Sequence, residues 1–327
     1  MSFSLKVKEE LASVLPPARH CRLAELAAII SAGGHIYTTD DGRHYIRFHS
    51  ETPYAVSKCQ HIIYKTFEYE PDVSVRYNKD TGNRTYIMSV MDSDMAIKIL
   101  LATRLMEPDG SINRDMSLVS TVGISNMCCK RAFLRGAFLA GGSISDPEKS
   151  YHFEIVSYGE AKAVQIMDAM KMFELDARII ERRRCHVVYL KEGAQIVDIL
   201  NVMGAHRSLM ELENVRVVKE VRNSVNRKVN CETANLSKTV NAAVKQIEDI
   251  EYIRENAGLN TLSEGLEEIA ELRVKYPDTP LAQLGQMLSP PVGKSGVNHR
   301  LRKISRIAEE PVSYTHLRAH ETLSDLV

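Results

Sequence analysis

The sequence has no long hydrophobic run, no net charge and no paired cysteine motif. Its apolar runs all stay short of the about 18 residues that a membrane-spanning helix needs, so we expect no membrane span. Its 42 lysines and arginines equal its 42 aspartates and glutamates, which argues against a uniformly basic nucleic-acid coat but leaves room for a local basic patch. At 327 residues, with 44% hydrophobic content, the chain can bury a large core and form two or three domains.

The cysteines do not form a recognisable metal motif. No two of the six are separated by two residues, and no histidine spacing completes a zinc set. The sequence therefore predicts no metal site and no other cofactor. The adjacent pair Cys128 and Cys129 is interpreted as buried thiols rather than as a redox pair.

The two ends of the chain are treated separately from the fold. Residues 1–20 predict a charged N-terminal helix and not a signal peptide, so we expect a cytoplasmic protein. Residues 311–327 resemble the translation of a sequencing-library adapter, and we expect them to be a non-native tail. This tail is excluded from the interpretation of the fold.

Two short strings in the chain repeat each other. LAAIISAGGHI at 26–36 recurs as LRGAFLAGGSI at 134–144, which indicates an internal duplication. Both strings resemble the LAGLIDADG motif of homing endonucleases, in which a helix of small residues ends in a metal-binding acid followed by glycine. The acid position is Gly33 in the first copy and Gly141 in the second. The resemblance therefore implies the nuclease scaffold without its metal ligands, and we assign no catalytic residue.

The segments after each motif follow the same order, so each half, about 21–105 and about 125–205, is predicted as αββαββα. The first half is predicted as strands 35–39 and 44–49, helix 52–67, strands 72–77 and 84–90, and helix 92–104. The second is predicted as strand 151–158, helix 159–173, strands 177–181 and 185–190, and helix 192–203. The fold class is α+β: a duplicated LAGLIDADG-like saddle over 21–205, followed by a small all-α helix-turn-helix domain.

A helical linker is predicted between these domains. Residues 206–258 carry a valine stripe and a second helix at 236–253, separated by a polar break at 223–235. Residues 259–310 then predict the helix-turn-helix domain. In that domain we expect Thr261 to open a capping box, Tyr276 to be buried and Ser295 to cap the last helix.

The last helix carries the strongest functional pattern, within a helix-turn-helix at about 275–308. From Lys294 to Arg306 there are five lysines or arginines and no acid. The candidate DNA-binding residues are Lys294, Ser295, Asn298, His299, Arg300, Arg302, Lys303 and Arg306. Asparagine suits adenine and arginine suits guanine, so Asn298 and Arg300 are expected at base edges, with Lys303 at a phosphate. The alternative is a solvated basic face on a structural helix.

Two longer strings are specific enough to resemble one family. NRKVNCETAN at 226–235 and KSGVNHRLRKI at 294–304 resemble the WhiA family of Gram-positive bacteria. That resemblance covers nearly all of the chain to about residue 310. It implies a DNA-binding regulator, of the transcription-factor type, that is involved in cell division and chromosome segregation, and in sporulation where the host sporulates. It further implies a nucleoid-associated protein whose partner is double-stranded DNA.

The role of the saddle is left open between DNA contact and protein docking. Its strands and turns carry cations that suit phosphate, namely Arg43, His44, Arg47, Arg76, Lys79, Arg84, Arg182, Arg183, Arg184 and His186. Asp40, Asp41 and Glu154 are interspersed with them. Two other functions remain as alternatives: an active metal-dependent endonuclease rescued by acids such as Asp40, Asp41 or Asp146, and a scaffold that binds proteins through the saddle or linker.

Overall fold

A computed structural model describes residues 1–80, 82–112 and 126–309 of the chain. The chain forms two compact units, Met1–Val221 and a second that begins at Arg222. The tail expected at 311–327 lies outside the described residues. Within the described ranges, no helix is both long enough and apolar enough to cross a membrane.

The first half of the saddle domain has the predicted order of elements, after a helix α1 (Phe3–Ser13). The elements are α2 (Arg19–Gly33), β1 (Gly34–Thr38), β2 (His44–Ser50), α3 (Pro53–Phe67), β3 (Asp72–Tyr77), β4 (Arg84–Val90) and α4 (Ser93–Ala102). The strands pair antiparallel in the order β1-β2-β4-β3. Alternation along β2 buries Ile46 and Phe48 and leaves Arg47 and His49 on the opposite side, which we call the outer face.

The second half repeats this order. Its elements are α5 (Met127–Gly141), β5 (Gly142–Ile144), β6 (Phe153–Ser157), α6 (Glu160–Lys171), β7 (Arg178–Arg182), β8 (Cys185–Leu190) and α7 (Gly193–Met203). The strands again pair antiparallel, in the equivalent order β5-β6-β8-β7. The duplicated αββαββα fold is confirmed, with small shifts at the ends of elements.

The two halves meet where α2 packs along α5. Gly136 lies so close to α2 that a Cβ atom there would overlap the carbonyl oxygen of Glu25. The Cβ of Ala28 would be 3.0 Å from the same atom. Both helices are buried in one core that is shared with the two sheets. The close approach of the two backbones therefore requires a glycine at position 136.

A buried ion network lies beside this contact. Arg135 donates two hydrogen bonds to Glu25, from Nε to Oε1 and from Nη2 to Oε2, both at 2.9 Å. Lys58 Nζ of α3 lies 3.2 Å from Glu25 Oε1, and both side chains are completely buried. Burial lowers the pKa of the Lys58 amine, while the charge of Glu25 opposes that shift. The network fixes α2, α3 and α5 relative to one another, because their separation would leave buried charges unpaired.

Helix α8 (His206–Asn256) is continuous where the sequence predicted a break. The polar break expected at 223–235 is wrong. That stretch is rich in asparagine, but it contains neither glycine nor proline. Each residue type present in it costs less than about 1 kcal/mol relative to alanine in a helix. A side chain also bonds within the helix, since Thr239 Oγ1 donates to the Asn235 carbonyl at 2.9 Å. Val218, Val221 and Val225 of the predicted valine stripe remain exposed.

The second unit packs the end of α8 against three shorter helices. After a 3-10 turn (Leu259–Thr261) come α9 (Glu264–Lys275), α10 (Leu281–Gln286) and α11 (Lys294–Glu309). All four helices contribute to its core, which includes Ile250, Ile253, Leu266, Ile269, Leu284, Val297, Leu301 and Ile304. This is the trihelical arrangement that a helix-turn-helix requires, with α11 in the position of the recognition helix.

Three local expectations for this unit need correction. Ser263, and not Thr261, is the N-cap residue of α9. Tyr276 follows the last residue of α9 and is 37% exposed, so it is not part of the core. Helix α11 begins at Lys294, which places Ser295 inside the helix rather than at its cap. Each error is a shift of one or two residues at a helix end, where sequence patterns are least decisive.

The contact at Gly136 gives a first testable prediction. We expect Gly136→Ala to lower the free energy of unfolding of the first unit by about 1–3 kcal/mol, because the added methyl must displace backbone. Denaturant unfolding followed by circular dichroism measures this change. Gly293→Ala in the second unit, where a Cβ would meet no atom within 4 Å, controls for an added methyl and should leave the unfolding of the first unit unchanged. A Gly136→Ala protein as stable as the parent would show that the packing of α2 on α5 does not depend on this close approach.

Candidate nucleic-acid interface

Helix α11 buries one face and exposes the other. Val297, Leu301 and Ile304 recur at spacings of three and four residues and are buried. The predicted DNA-contacting residues that the structure leaves exposed are Lys294, Ser295, His299, Arg302, Lys303 and Arg306. We call this set the basic face of α11. Its cations come from a run without a single acid, so it presents uncompensated positive charge to a polyanion.

Asn298 and Arg300 lie at the two edges of the basic face and are partly buried. Arg300 Nη1 donates a hydrogen bond to the Gly265 carbonyl at 3.2 Å, in the first turn of α9. A Cβ at Gly265 would lie 3.5 Å from the Arg300 guanidinium carbon, so this side chain covers the glycine. Arg300 thus joins α11 to α9, and its guanidinium would have to leave Gly265 in order to contact a base.

The turn between α10 and α11 is fixed by a glycine. A Cβ at Gly285 would overlap the Val292 carbonyl oxygen, and the Val292 amide donates a hydrogen bond to the Gly285 carbonyl at 2.8 Å. Val297 lies against the same position, 3.0 Å from that Cβ. Only glycine permits this approach, and the approach sets the angle at which α11 leaves the turn.

Glu309, the acid at the end of α11, is paired with a lysine of α8 and does not contact the basic face. Glu309 Oε1 accepts a hydrogen bond from Lys245 Nζ of α8 at 2.9 Å. This hydrogen bond, together with the charge of Glu309, raises the pKa of Lys245. Glu309 is about 22 Å along the helix from Lys294, so its charge does not offset the cations of the first turns.

The two positions that hold the metal-binding acids in nucleases are closed by the packing of the saddle. A Cβ at Gly33 would lie 2.9 Å from Cε2 of the Phe48 ring. A Cβ at Gly141 would lie 2.7 Å from the carbonyl oxygen of Val156, which is backbone and cannot rotate away. The saddle therefore lacks not only the two carboxylates but also the space for them in its present packing.

Two acids near these positions, Glu154 and Asp41, are already neutralised. Glu154 accepts a hydrogen bond from Ser143 Oγ at 3.0 Å and lies 3.1 Å from His152 Nε2 and 3.3 Å from Arg182 Nη1. Burial alone would raise its pKa, but the hydrogen bonds from His152 and Ser143, with the charges of His152 and Arg182, leave the pKa of Glu154 below its usual value. Asp41 is paired with Arg43 at 3.0 Å. These carboxylates are occupied by protein cations rather than arranged around a metal.

The basic residues of the two sheets are not equivalent. On the outer face of the first sheet, burial lowers the pKa of His49, and the neighbouring charges of His35, Arg47 and Arg76 lower it further. In the second sheet, Arg182 is engaged by Glu154, and the Nδ1 atom of His186 is buried. Arg183 and Arg184, in the turn between β7 and β8, remain exposed, so both sheets retain cations.

The sequence interpretation missed one cluster of chemically active side chains. His20, Cys21, Cys128 and Cys129 come together at the N-terminal ends of α2 and α5. Cys129 is buried as expected, whereas Cys128 is exposed, contrary to the expectation of two buried thiols. The signal was present in the duplication, because the offset from Gly34 to Gly142 also takes His20 to Cys128 and Cys21 to Cys129.

Comparisons with known proteins match the same family, WhiA, along most of the chain. Family models match the WhiA N-terminal LAGLIDADG-like domain at 19–106, the WhiA LAGLIDADG-like domain at 130–222 and the WhiA C-terminal HTH domain at 225–308. The chain is 48% identical over 309 residues to the "Probable cell division protein WhiA" of Lachnoclostridium phytofermentans, covering 94% of this chain and 99% of that protein.

Solved structures of WhiA proteins also match this chain. The crystal structure of full-length WhiA from Thermatoga maritima matches with a TM-score of 0.58 at 28% identity, over 94% of this chain and 98% of that one. The crystal structure of an N-terminal LAGLIDADG domain of WhiA matches with a TM-score of 0.50 at 23% identity, over 65% of this chain and 96% of that one. The second likeness concerns the fold alone.

The closed acid positions give a second prediction. We expect Gly141→Asp to lower the melting temperature of the first unit, because its Cβ must displace the backbone of Val156. We also expect that neither the parent nor the Gly33→Asp/Gly141→Asp double variant nicks supercoiled plasmid in excess Mg²⁺ or Mn²⁺. Gly293→Asp controls for adding a carboxylate at an open glycine. Metal-dependent nicking by the parent, lost on mutation of Asp40 or Asp146, would contradict this interpretation.

Proposed function

The chain belongs to the WhiA family, and on that premise we propose that it is a DNA-binding regulator of cell division that does not cleave DNA. The proposal extends to a transcription-factor role, to chromosome segregation and, in a sporulating host, to sporulation. The expected place of action is the nucleoid in the cytoplasm. The saddle domain and the linker would then serve protein partners rather than catalysis.

The observation that carries the proposal is the basic face of α11. Four of its exposed residues are permanent cations, Lys294, Arg302, Lys303 and Arg306, and no acid interrupts them. A helix with this distribution, presented by a trihelical core, matches the geometry in which a recognition helix lies in the major groove. The neutralisation of phosphates by these side chains would make the affinity fall steeply with salt.

The residues of the basic face divide by position. Lys294 and Ser295 lie in the first turn, where free backbone amides favour a phosphate. His299 and Arg302 lie centrally on the exposed side and are the side chains that we propose at base edges. Lys303 and Arg306 would contact phosphate. Asn298 remains a candidate at the edge of the groove, and Arg300 orients α11 through Gly265 before any contact with DNA.

The nuclease alternative has little support. Cleavage with bound metals requires carboxylates at the ends of the motif helices, and those positions are glycines facing Phe48 and Val156. Glu154 is paired with cations. The saddle would then be a structural scaffold that does not cleave DNA.

DNA recognition by α11 gives a third prediction. A duplex is first selected from random sequences by the parent protein, and binding is then measured by fluorescence anisotropy at several salt concentrations. We expect Arg302→Ala to cost about 1–3 kcal/mol on the selected duplex and much less on a scrambled one. We expect Lys303→Ala to weaken both alike and to reduce the salt slope by about one unit. Lys98→Ala, an exposed lysine on α4, is the control.

A fourth prediction separates the two roles open to Arg300. If Arg300 joins α11 to α9, Arg300→Ala should lower the melting temperature of the second unit as well as the affinity for every duplex. A residue that contacts only a base would change affinity for the selected duplex and leave the melting temperature unchanged.

The third prediction has a contradicting outcome as well. If the folded Arg302→Ala and Lys303→Ala proteins bind both duplexes as the parent does, DNA recognition does not lie on α11.

A further inference from the structure

Four potential metal ligands meet at the N-terminal ends of the two motif helices. His20 and Cys21 lie in the first turn of α2, and Cys128 and Cys129 lie in the first turn of α5. The internal duplication relates them in pairs, because His20 corresponds to Cys128 and Cys21 to Cys129. The packing of α2 along α5 brings the two pairs together across the pseudo-twofold axis.

The distances between these side chains suit a shared ion. His20 Nδ1 lies 3.1 Å from Cys129 Sγ and 3.4 Å from Cys21 Sγ. The four ligand atoms all lie within 4.8 Å of one another. A tetrahedral zinc, with bonds of about 2.3 Å to sulfur and about 2.0–2.1 Å to nitrogen, places neighbouring ligands about 3.5–3.8 Å apart. Small side-chain rotations are enough to bring the cluster to that geometry.

We propose that His20, Cys21, Cys128 and Cys129 bind one Zn²⁺ ion in a tetrahedral site of three thiolates and one imidazole. Thiolate and imidazole ligands favour zinc over magnesium or calcium, which prefer oxygen. All four coordination positions are filled by protein, so the site is structural and has no open position for catalysis. The ion joins α2 to α5 at the ends opposite to those that lead into β1 and β5.

The electrostatic setting is favourable for such a site. Three thiolates and a zinc ion carry one negative charge together, and the site lies at two helix N-termini, whose dipoles stabilise negative charge. Cysteine ligands lose their protons when zinc binds, so the affinity for zinc should rise with pH. His20 and Cys128 are exposed, which gives the ion a path to the buried pair.

The test uses the full-length protein, kept reduced and purified in a buffer that does not bind metals. Elemental analysis by plasma mass spectrometry should find about one zinc per chain. After removal of the metal by a chelator, Co²⁺ should bind with a thiolate-to-cobalt charge-transfer band and the intense visible bands of a tetrahedral ion. Chelation should also lower the melting temperature of the first unit, and added zinc should restore it.

Variants at the exposed positions keep the test falsifiable, since Cys128→Ser and His20→Ala leave the buried side chains in place. We expect each to lower zinc affinity by about tenfold or more, because even the loss of a partner outside the ligand set commonly costs that much. Cys231→Ser, an exposed cysteine on α8, should bind zinc as the parent does. The proposal fails if the reduced parent takes up neither zinc nor cobalt, or if Cys128→Ser and His20→Ala bind as tightly as the parent. It fails equally if intact mass shows a disulfide in this cluster and the protein binds no ion after reduction.

Discussion

One buried carboxylate, that of Glu25, balances two buried cations and so determines how the helices of the first unit pack. It accepts two hydrogen bonds from Arg135 and forms an ion pair with Lys58. The same cations also bond to two other helices. Arg135 Nη1 donates a hydrogen bond to the Met203 carbonyl at the end of α7, and Lys58 Nζ donates one to the Leu11 carbonyl of α1 at 3.1 Å. The loss of one member of such a network typically costs about 3–5 kcal/mol, since the remaining charges stay buried.

This network also fixes the geometry of the two sheets. Both sheets begin at the C-terminal ends of α2 and α5, so the interface that Glu25 stabilises also sets the two sheets relative to each other. Its charges are used internally and do not depend on a bound nucleic acid. A scaffold held in this way keeps its packing whether or not it carries catalytic residues, and α11 belongs to a separate core.

The sequence was most informative where a turn signal and an alternating pattern coincided. Strands β3, β4 and β8 begin and end where they were predicted, because turn residues such as Gly82 limit the strands on either side. The continuity of α8 was not predicted, since a run of polar residues does not distinguish a loop from a solvated helix. The exposed basic face of α11 followed from helical spacing alone.

Features that depend on contacts between distant segments escaped the sequence analysis. The hydrogen bond from Arg300 to Gly265 joins α11 to α9, and Gly285 sets the angle at which α11 leaves the turn after α10. No local pattern encodes either contact. Likewise, His20 and Cys129 approach only because α2 and α5 pack in parallel register through Gly136. The duplication offset pointed to these pairs, but only the packed fold brings them within reach of one ion.

The closure of Gly33 and Gly141 limits what mutation can introduce at these two positions. A single substitution at either position meets a ring or a backbone carbonyl before it can supply a ligand. A metal site built here would need two new carboxylates and a shift of β2 and β6 at the same time. Gly33 and Gly141 are therefore positions at which any side chain, whatever its chemistry, competes for space with the strand that packs against it.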